Sequence, residues 1–239
     1  MSIQRIINQA ETLNINRRKL VSVQYTRSEI AKVNETASRN PWRLTLGISA
    51  SLPYQDNRDL LEQLDYLDKT KPETVTFNQT GLNYMFAYQA GTLTQVQRDA
   101  IQVESFIGNQ LKLKSLPSVA SLGPQGSGST VIFKKGDFIQ IAGYPFPFTV
   151  VGPAAVSGVV TPGDVIRGTD PTFVTLTVHR PNFIAASVQN LGIKVGNEVS
   201  FRVICVNMPT YTLSPGAKNN PFIQFSGEFQ LYEYTGDVL

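Results

Sequence analysis

From Thr130 to the end, the chain is a succession of short apolar runs punctuated by Gly, Pro and Asp, and this pattern constrains the fold more than any other feature. VIF (131–133), DFIQIAG (137–143), FPFTVV (146–151), TFVTLTVH (172–179), EVSFRVICV (198–206) and EFQLYEYT (228–235) each carry the apolar residues of a half-buried strand. Regularly spaced short strands with turn residues between them predict an antiparallel β-sandwich or barrel. Three turns share one chemistry. KKGDFIQI, TPGDVIRG and KVGNEVSF each place Gly-Asp or Gly-Asn before an apolar strand. Gly reaches the unusual φ and the Asp or Asn side chain closes the turn. Such turns recur in β proteins without any repeat, so they do not by themselves make one.

The first half is mixed. Ile3, Ile6, Ile7, Ala10 and Leu13 form a narrow stripe at helical spacing, which predicts a short amphipathic helix over 3–13. NINRRK (14–19) reads as a basic connector, and Val21, Val23 and Tyr25 alternate with polar residues as a strand does. Trp42, Leu44, Leu46 and Ile48 alternate most cleanly of all. Leu60, Leu61, Leu64 and Leu67 switch to a helical face, so a helix over Asn57–Lys69 flanks the sheet, with Asp56 or Asn57 as its cap. Val75 with Phe77, and Leu111 with Leu113, predict two further strands. Residues 79–110 sustain neither period and are read as a long hairpin or an exposed arm. SLGPQGSGST (121–130) has the composition of a loop and supplies the internal boundary.

Composition narrows the function. Charged residues make up 16% of the chain, below the roughly 25% of ordinary globular proteins, so its surface is polar rather than charged and loses little solvation when neighbours cover it. A net charge of +3 lacks the concentrated basic stripe of a dedicated nucleic-acid binder. The N-terminus has no apolar core of a signal peptide, and no stretch approaches the roughly 18 apolar residues of a membrane span, so no membrane partner is expected. Cys205 is the one cysteine, which excludes an intramolecular disulfide and a cysteine-based metal site.

Catalytic chemistry has little to stand on. His179 is the one histidine, and it lies at a strand end beside Arg180, a cation that disfavours its protonation. The carboxylates available for acid and base work are Asp137 and Asp164 in Gly-Asp turns and Glu228 with Glu233 on the last strand. A glycan hydrolase would need two of them about 5–10 Å apart across a cleft. Turn closure and solvent-facing strand positions explain all four without chemistry. GYPFPFTVV (143–151) is aromatic enough to stack bases, but Pro145 and Pro147 set an extended backbone on which alternate Phe residues suit packing. No catalytic, cofactor-binding or metal-binding residue is assigned, and no cofactor is expected.

SIQRIINQAETLNINRRK (2–19), PWRLTLGISASLPYQDNRDLLEQLD (41–65), ETVTFN (73–78), FKKGDFIQIAGYPFPFTVV (133–151) and TLTVHRP (175–181) carry a resemblance. There the chain resembles the baseplate and tail-tube junction proteins of contractile-tailed bacteriophages, closest to the tube-initiator type that joins the hub to the first tube ring. The resemblance implies a tail-tube fold of packed antiparallel sheets with a flanking helix. It also implies a six-fold ring of copies of the chain, baseplate hub and tube proteins as partners, passage of genomic DNA without sequence-specific binding, and residence in the virion after assembly in the host cytoplasm. A surface carbohydrate-binding β-sandwich and a carboxylate glycan hydrolase are the alternatives.

The division expected is an N-terminal helix and arm over 1–19 and a β domain over 20–239. The arm should dock on a neighbouring subunit through Ile3, Ile6 and Ile7, helped by the cations Arg17, Arg18 and Lys19. A helix this short is marginal alone and must bury its stripe somewhere.

Overall fold

In the computed structural model of the chain, residues 2–17, 21–25, 31–35, 41–48, 51–66, 71–78, 81–91, 93–117, 131–153, 164–166, 173–216 and 220–236 are described. The protein is mainly β with antiparallel sheets and few helices, as the alternating pattern predicts. It divides into two compact units that interleave in sequence: residues 1–20, 40–85 and 201–235 form one, and residues 21–39, 86–200 and 236–239 the other. The boundary expected at 121–130 falls inside the second unit's span and outside the described residues.

In the first unit, β1 (Thr12–Asn16), β4 (Arg43–Gly47), β18 (Phe229–Glu233), β15 (Ser200–Asn207) and β6 (Glu73–Thr76) form a five-stranded sheet in that order, strands being numbered along the chain. β1 pairs antiparallel with β4, β4 with β18, and β18 with β15. Leu44, Leu46, Phe229, Leu231, Phe201 and Val203 point to one side and are buried, while Arg43, Thr45, Gln230 and Tyr232 alternate to the other. Trp42 and Phe77 both meet Phe201 edge to face, with ring centroids 6.0 and 5.7 Å away. Two helices serve this unit, α1 (Ser2–Gln9) and α2 (Tyr54–Asp65), and α1 packs on both α2 and β6. A three-stranded sheet of β16 (Tyr211–Ser214), β17 (Phe222–Phe225) and β5 (Leu52–Pro53) completes it.

The expected arm is corrected here. Ile3, Ile6 and Ile7 are buried to 1% or less within this unit, so the stripe belongs to the chain's own core and not to a neighbour's. A helix this short must have its stripe covered, and α2 and β6 cover it. Each buried Ile contributes about 1.5–3 kcal/mol. The helix also ends sooner than expected, because residues 12–16 of the expected helix and connector are strand β1, with Ile15 opposite Leu44.

α2 begins a turn earlier than its expected caps. Pro53 is its N-cap, with φ −60° and ψ 129°, and the first helical amide, Tyr54 N–H, donates to Pro221 O at 2.9 Å. Asn57 lies inside the helix, 6% exposed, and its side-chain amide donates to Pro53 O.

In the second unit, β14 (Ile193–Val195), β10 (Phe138–Ile141), β11 (Phe148–Pro153), β13 (Val174–Val178), β8 (Gln110–Lys114) and β7 (Gln102–Ile107) form a six-stranded sheet in that order. Every neighbouring pair is antiparallel. The sheet meets itself: Gln102 bridges Gly192, and Val103 N–H donates to Leu191 O while Asn190 N–H donates to Val103 O, both at 2.8 Å. The result is a curled half-barrel whose ends touch at that one bridge, filled by Val103, Leu111, Leu113, Ile139, Ile141, Phe148, Val150, Leu176 and Val178, among others.

Two-stranded ribbons of β9 (Val131–Lys134) with β12 (Asp164–Ile166) and of β2 (Val21–Tyr25) with β3 (Ala31–Glu35) lie outside that sheet. Most of 79–110 is neither a long hairpin nor an arm. It holds a 3-10 turn at Asn83–Phe86, a short helix α3 (Gln95–Asp99), and only then the hairpin of β7 with β8.

Candidate functional site

Asp137 follows Gly136, whose φ of 98° is open to glycine and strained for other residues, as the turn reading requires. The Asp137 carboxylate is fully buried and accepts two backbone amides, Lys134 N–H on Oδ2 and Gln89 N–H on Oδ1, both at 2.7 Å. Burial raises its pKa above the ordinary carboxylate range, against the opposing pull of those amides. The group therefore closes the turn and pins residues 88–90 to it. Gly196 repeats the glycine at φ 72°, and a Cβ there would lie 2.9 Å from Tyr88 N. Of Asp164 only the backbone is described, paired with Lys134.

Glu228 and Glu233 do not form a hydrolytic pair. Five residues apart along one strand direction, they are separated by about 16 Å at roughly 3.3 Å per residue, and they alternate to opposite faces. Glu228 is exposed. Glu233 is 6% exposed and its Oε2 accepts Trp42 N–H at 3.0 Å. It points inward, not to solvent as the sequence suggested.

His179 is half-buried. Its Nδ1 accepts Thr149 N–H at 3.0 Å and its own backbone amide donates to Thr149 O at 3.0 Å. Arg180, 1% exposed, donates to Pro147 O at 3.0 Å and lies over the rings of Phe148 and Phe183 at 5.0 and 4.8 Å. Phe146 and Phe148 of the aromatic segment are buried, which is the packing role expected of them. Cys205 is a buried thiol whose Sγ–H donates to Asn207 O at 3.4 Å.

The basic run fares differently from its expectation. Arg17 is half-buried with its guanidinium 5.6 Å from the Trp42 ring centroid, and burial lowers its pKa. Its contact with Trp42 ties it to the first unit. Arg18 and Lys19 lie outside the described residues. Among the described residues no group of three or more His, Cys, Asp or Glu is placed to hold a metal ion, and no helix is long and apolar enough to cross a membrane.

Two surface features are left once these groups are assigned. The first is the uncovered face of the five-stranded sheet, where Asn14, Thr45 and Gln230 form one row across β1, β4 and β18, and Asn16, Arg43 and Tyr232 the next. Arg43 lies over Tyr232 at 5.4 Å. The second is the corner of α2 with the β16–β17 hairpin. A groove of about 350 Å³ there is lined by Leu64, Met208, Pro209, Tyr211 and Phe225, with Asp65 and Thr210 at its margin. Neither feature was singled out in the sequence. The alternation of FQLYEYT and of YTLS carried the signal, but alternation alone does not say which face stays uncovered.

No family model and no curated protein matches the chain.

Proposed function

We propose that the chain is a structural subunit of a contractile phage tail, forming a hexameric ring at the junction of baseplate hub and tail tube. The ring nucleates the tube and gives DNA a path, with no turnover and no cofactor. The observation that carries this reading is the uncovered sheet face of the first unit. Its two central rows offer amide, hydroxyl and phenol groups with Arg43 drawn over Tyr232, and the adjoining row adds Arg202 drawn over Tyr234, so each cation on these rows is held against an aromatic ring. A wall of that kind hydrates a passing polyanion without gripping it, whereas a stripe of cations would release counterions and hold the duplex. The titratable groups agree with it: Asp137, Glu233 and His179 are each engaged in backbone hydrogen bonds.

The partners are copies of the chain within the ring, the hub on one side and the tube protein on the other, and the site of work is the virion. Head-to-tail contacts of this kind close when the rotation permits. Electron cryomicroscopy of tails tests the reading. A six-fold ring of this chain between hub and tube is expected. A symmetry other than six or three, or tails without this chain at the junction, overturns it.

A further inference from the structure

The six-stranded sheet of the second unit is knit unevenly. β7 is in register with β8 at five positions, β13 with β8 at four, and β10 with β14 at three. Where the two ends of the sheet meet, β7 faces the approach to β14 through the single Gln102–Gly192 bridge among the described residues, with the Val103 and Asn190 amide bonds beside it. Local openings run through the least-bonded part of a fold, and in this sheet that part is the seam.

Side chains reinforce the seam. α3 leads directly into β7, Ile101 N–H donating to Arg98 O at 3.1 Å, and α3 also packs on β14. This five-residue helix therefore straddles the seam, and it is too short to hold its place unaided. Arg98 binds both sides. Its Nη1 donates to Leu93 O at 3.0 Å, and its Nη2 donates at 3.3 Å to Oε1 of Glu198, in the 3-10 turn that follows β14. The guanidinium also lies over the Tyr88 ring at 5.5 Å, and the Tyr88 hydroxyl donates to Ile132 O on β9. On the exposed side, Lys114 adds a weaker tie to Asn190. The Arg98 and Glu198 side chains are 18% and 32% exposed, so the pair is shielded in part and salt still reaches it.

We propose that the half-barrel opens along the β7–β14 seam before any other part of its sheet gives way, and that Arg98, carried by α3, is the latch that keeps the seam shut. Opening converts the curled sheet into one with two bare end strands, and the ion pair makes that change respond to ionic strength. The device stands or falls independently of the ring reading.

Amide hydrogen exchange of the full chain, resolved by NMR, tests it. The seam amides Val103 and Asn190 are compared with Val150 and Val178, which donate to Asp137 O and Asn109 O away from the seam. In the wild type the seam pair should be protected about tenfold less, and added salt should widen the gap. Arg98→Ala should speed the seam amides a further tenfold or about that, and Glu198→Gln about two- to fivefold, with Val150 and Val178 unchanged. In Glu198→Gln the response to salt should vanish. Seam amides as protected as Val150 and Val178 in the wild type overturn the opening line. A seam indifferent to salt, or to Arg98→Ala, overturns the latch, and equal acceleration of all four amides shows that the half-barrel opens as one body and overturns both. The wild-type protection and its salt response need no variant, so they decide the matter even if Arg98→Ala fails to fold.

Discussion

The half-barrel of the second unit and the open sheet of the first solve the same problem in opposite ways. A β-sheet must do something with its edge strands, whose free amides and carbonyls otherwise template pairing with other chains. The half-barrel curls its two edges toward each other, and β7 reaches the residues before β14 through the Gln102–Gly192 bridge. The first unit keeps its edges and treats them one by one. At β6, Gln4 of α1 acts as a short piece of strand: its side-chain Nε2 donates to Thr76 O and its Oε1 accepts Thr76 N–H, both at 2.8 Å. Ile3 N–H adds a bond to Glu73 Oε2 at 3.2 Å. At β16 no such cover is present among the described residues. α1, which resembles a detachable arm in the sequence, is thus an edge cover, while among the described residues β16, like β1, pairs with a strand on one side only.

The largest blow to that contrast is Ile6→Asp. Ile6 is fully buried on the inner face of α1, and truncation of such a residue alone costs about 2–5 kcal/mol before any buried charge is counted. Chemical denaturation should show the first unit's transition collapsing while the barrel's persists, and a single shared loss would erase the distinction between the units. Deleting residues 1–19 should likewise unfold the first unit rather than release a folded domain.

Asp137→Asn probes the barrel side at about 1–3 kcal/mol, the cost of leaving amides poorly matched. Its pH dependence has a definite sign. Because burial raises the folded-state pKa, the wild type gains stability from this group below the ordinary carboxylate pKa and loses it as pH rises through the raised value. Unfolding midpoints at pH 4 and pH 7 should therefore show the wild type's advantage over Asn shrinking at the higher pH. An advantage that grows with pH would mean that the two amides outweigh burial.

Gln4→Ala removes both bonds that seal β6, a loss of about 0.5–1.5 kcal/mol for each. Light scattering on warming should detect added self-association through the bared edge, and unchanged scattering would show that the seal is dispensable. Arg5→Ala breaks the Arg5–Asp59 ion pair between α1 and α2. Both groups are solvent-accessible, so the denaturation midpoint should barely move, and less still in high salt.

The sequence was most legible where period and burial coincide. Leu44 and Leu46 alternate with Arg43 and Thr45 and are buried as the pattern demands, and Leu60, Leu61 and Leu64 of α2 form the expected face, Leu67 and Lys69 lying outside the described residues. Legibility failed where two patterns overlapped. Leu13 fitted the helical stripe begun by Ile3, so Leu13 and Ile15 were not read as the alternating strand that β1 proves to be. In 79–110 the signal was local and short. Thr94 and Gln97 form a capping box, Thr94 Oγ1 accepting Gln97 N–H and Gln97 Oε1 accepting Thr94 N–H, around a helix too brief to show a period. Glu233 escaped because an inward carboxylate at a strand end looks, in sequence, like any outward one. As for the surfaces, composition pointed to a protein made to be covered, but only the register of β1, β4 and β18 located an uncovered row.

The interleaving of the two units sets an order of events on the ribosome. β18 lies between β4 and β15, so the five-stranded sheet cannot be completed until residues 229–233 have been translated. All six strands of the half-barrel have been translated by Val195, well before that. The inserted half-barrel can thus form while the early strands β1 and β4 wait with only each other for company. A chain released after residue 200 should carry a finished half-barrel tethered to an unfinished host, and its protease-resistant core should begin near Phe86.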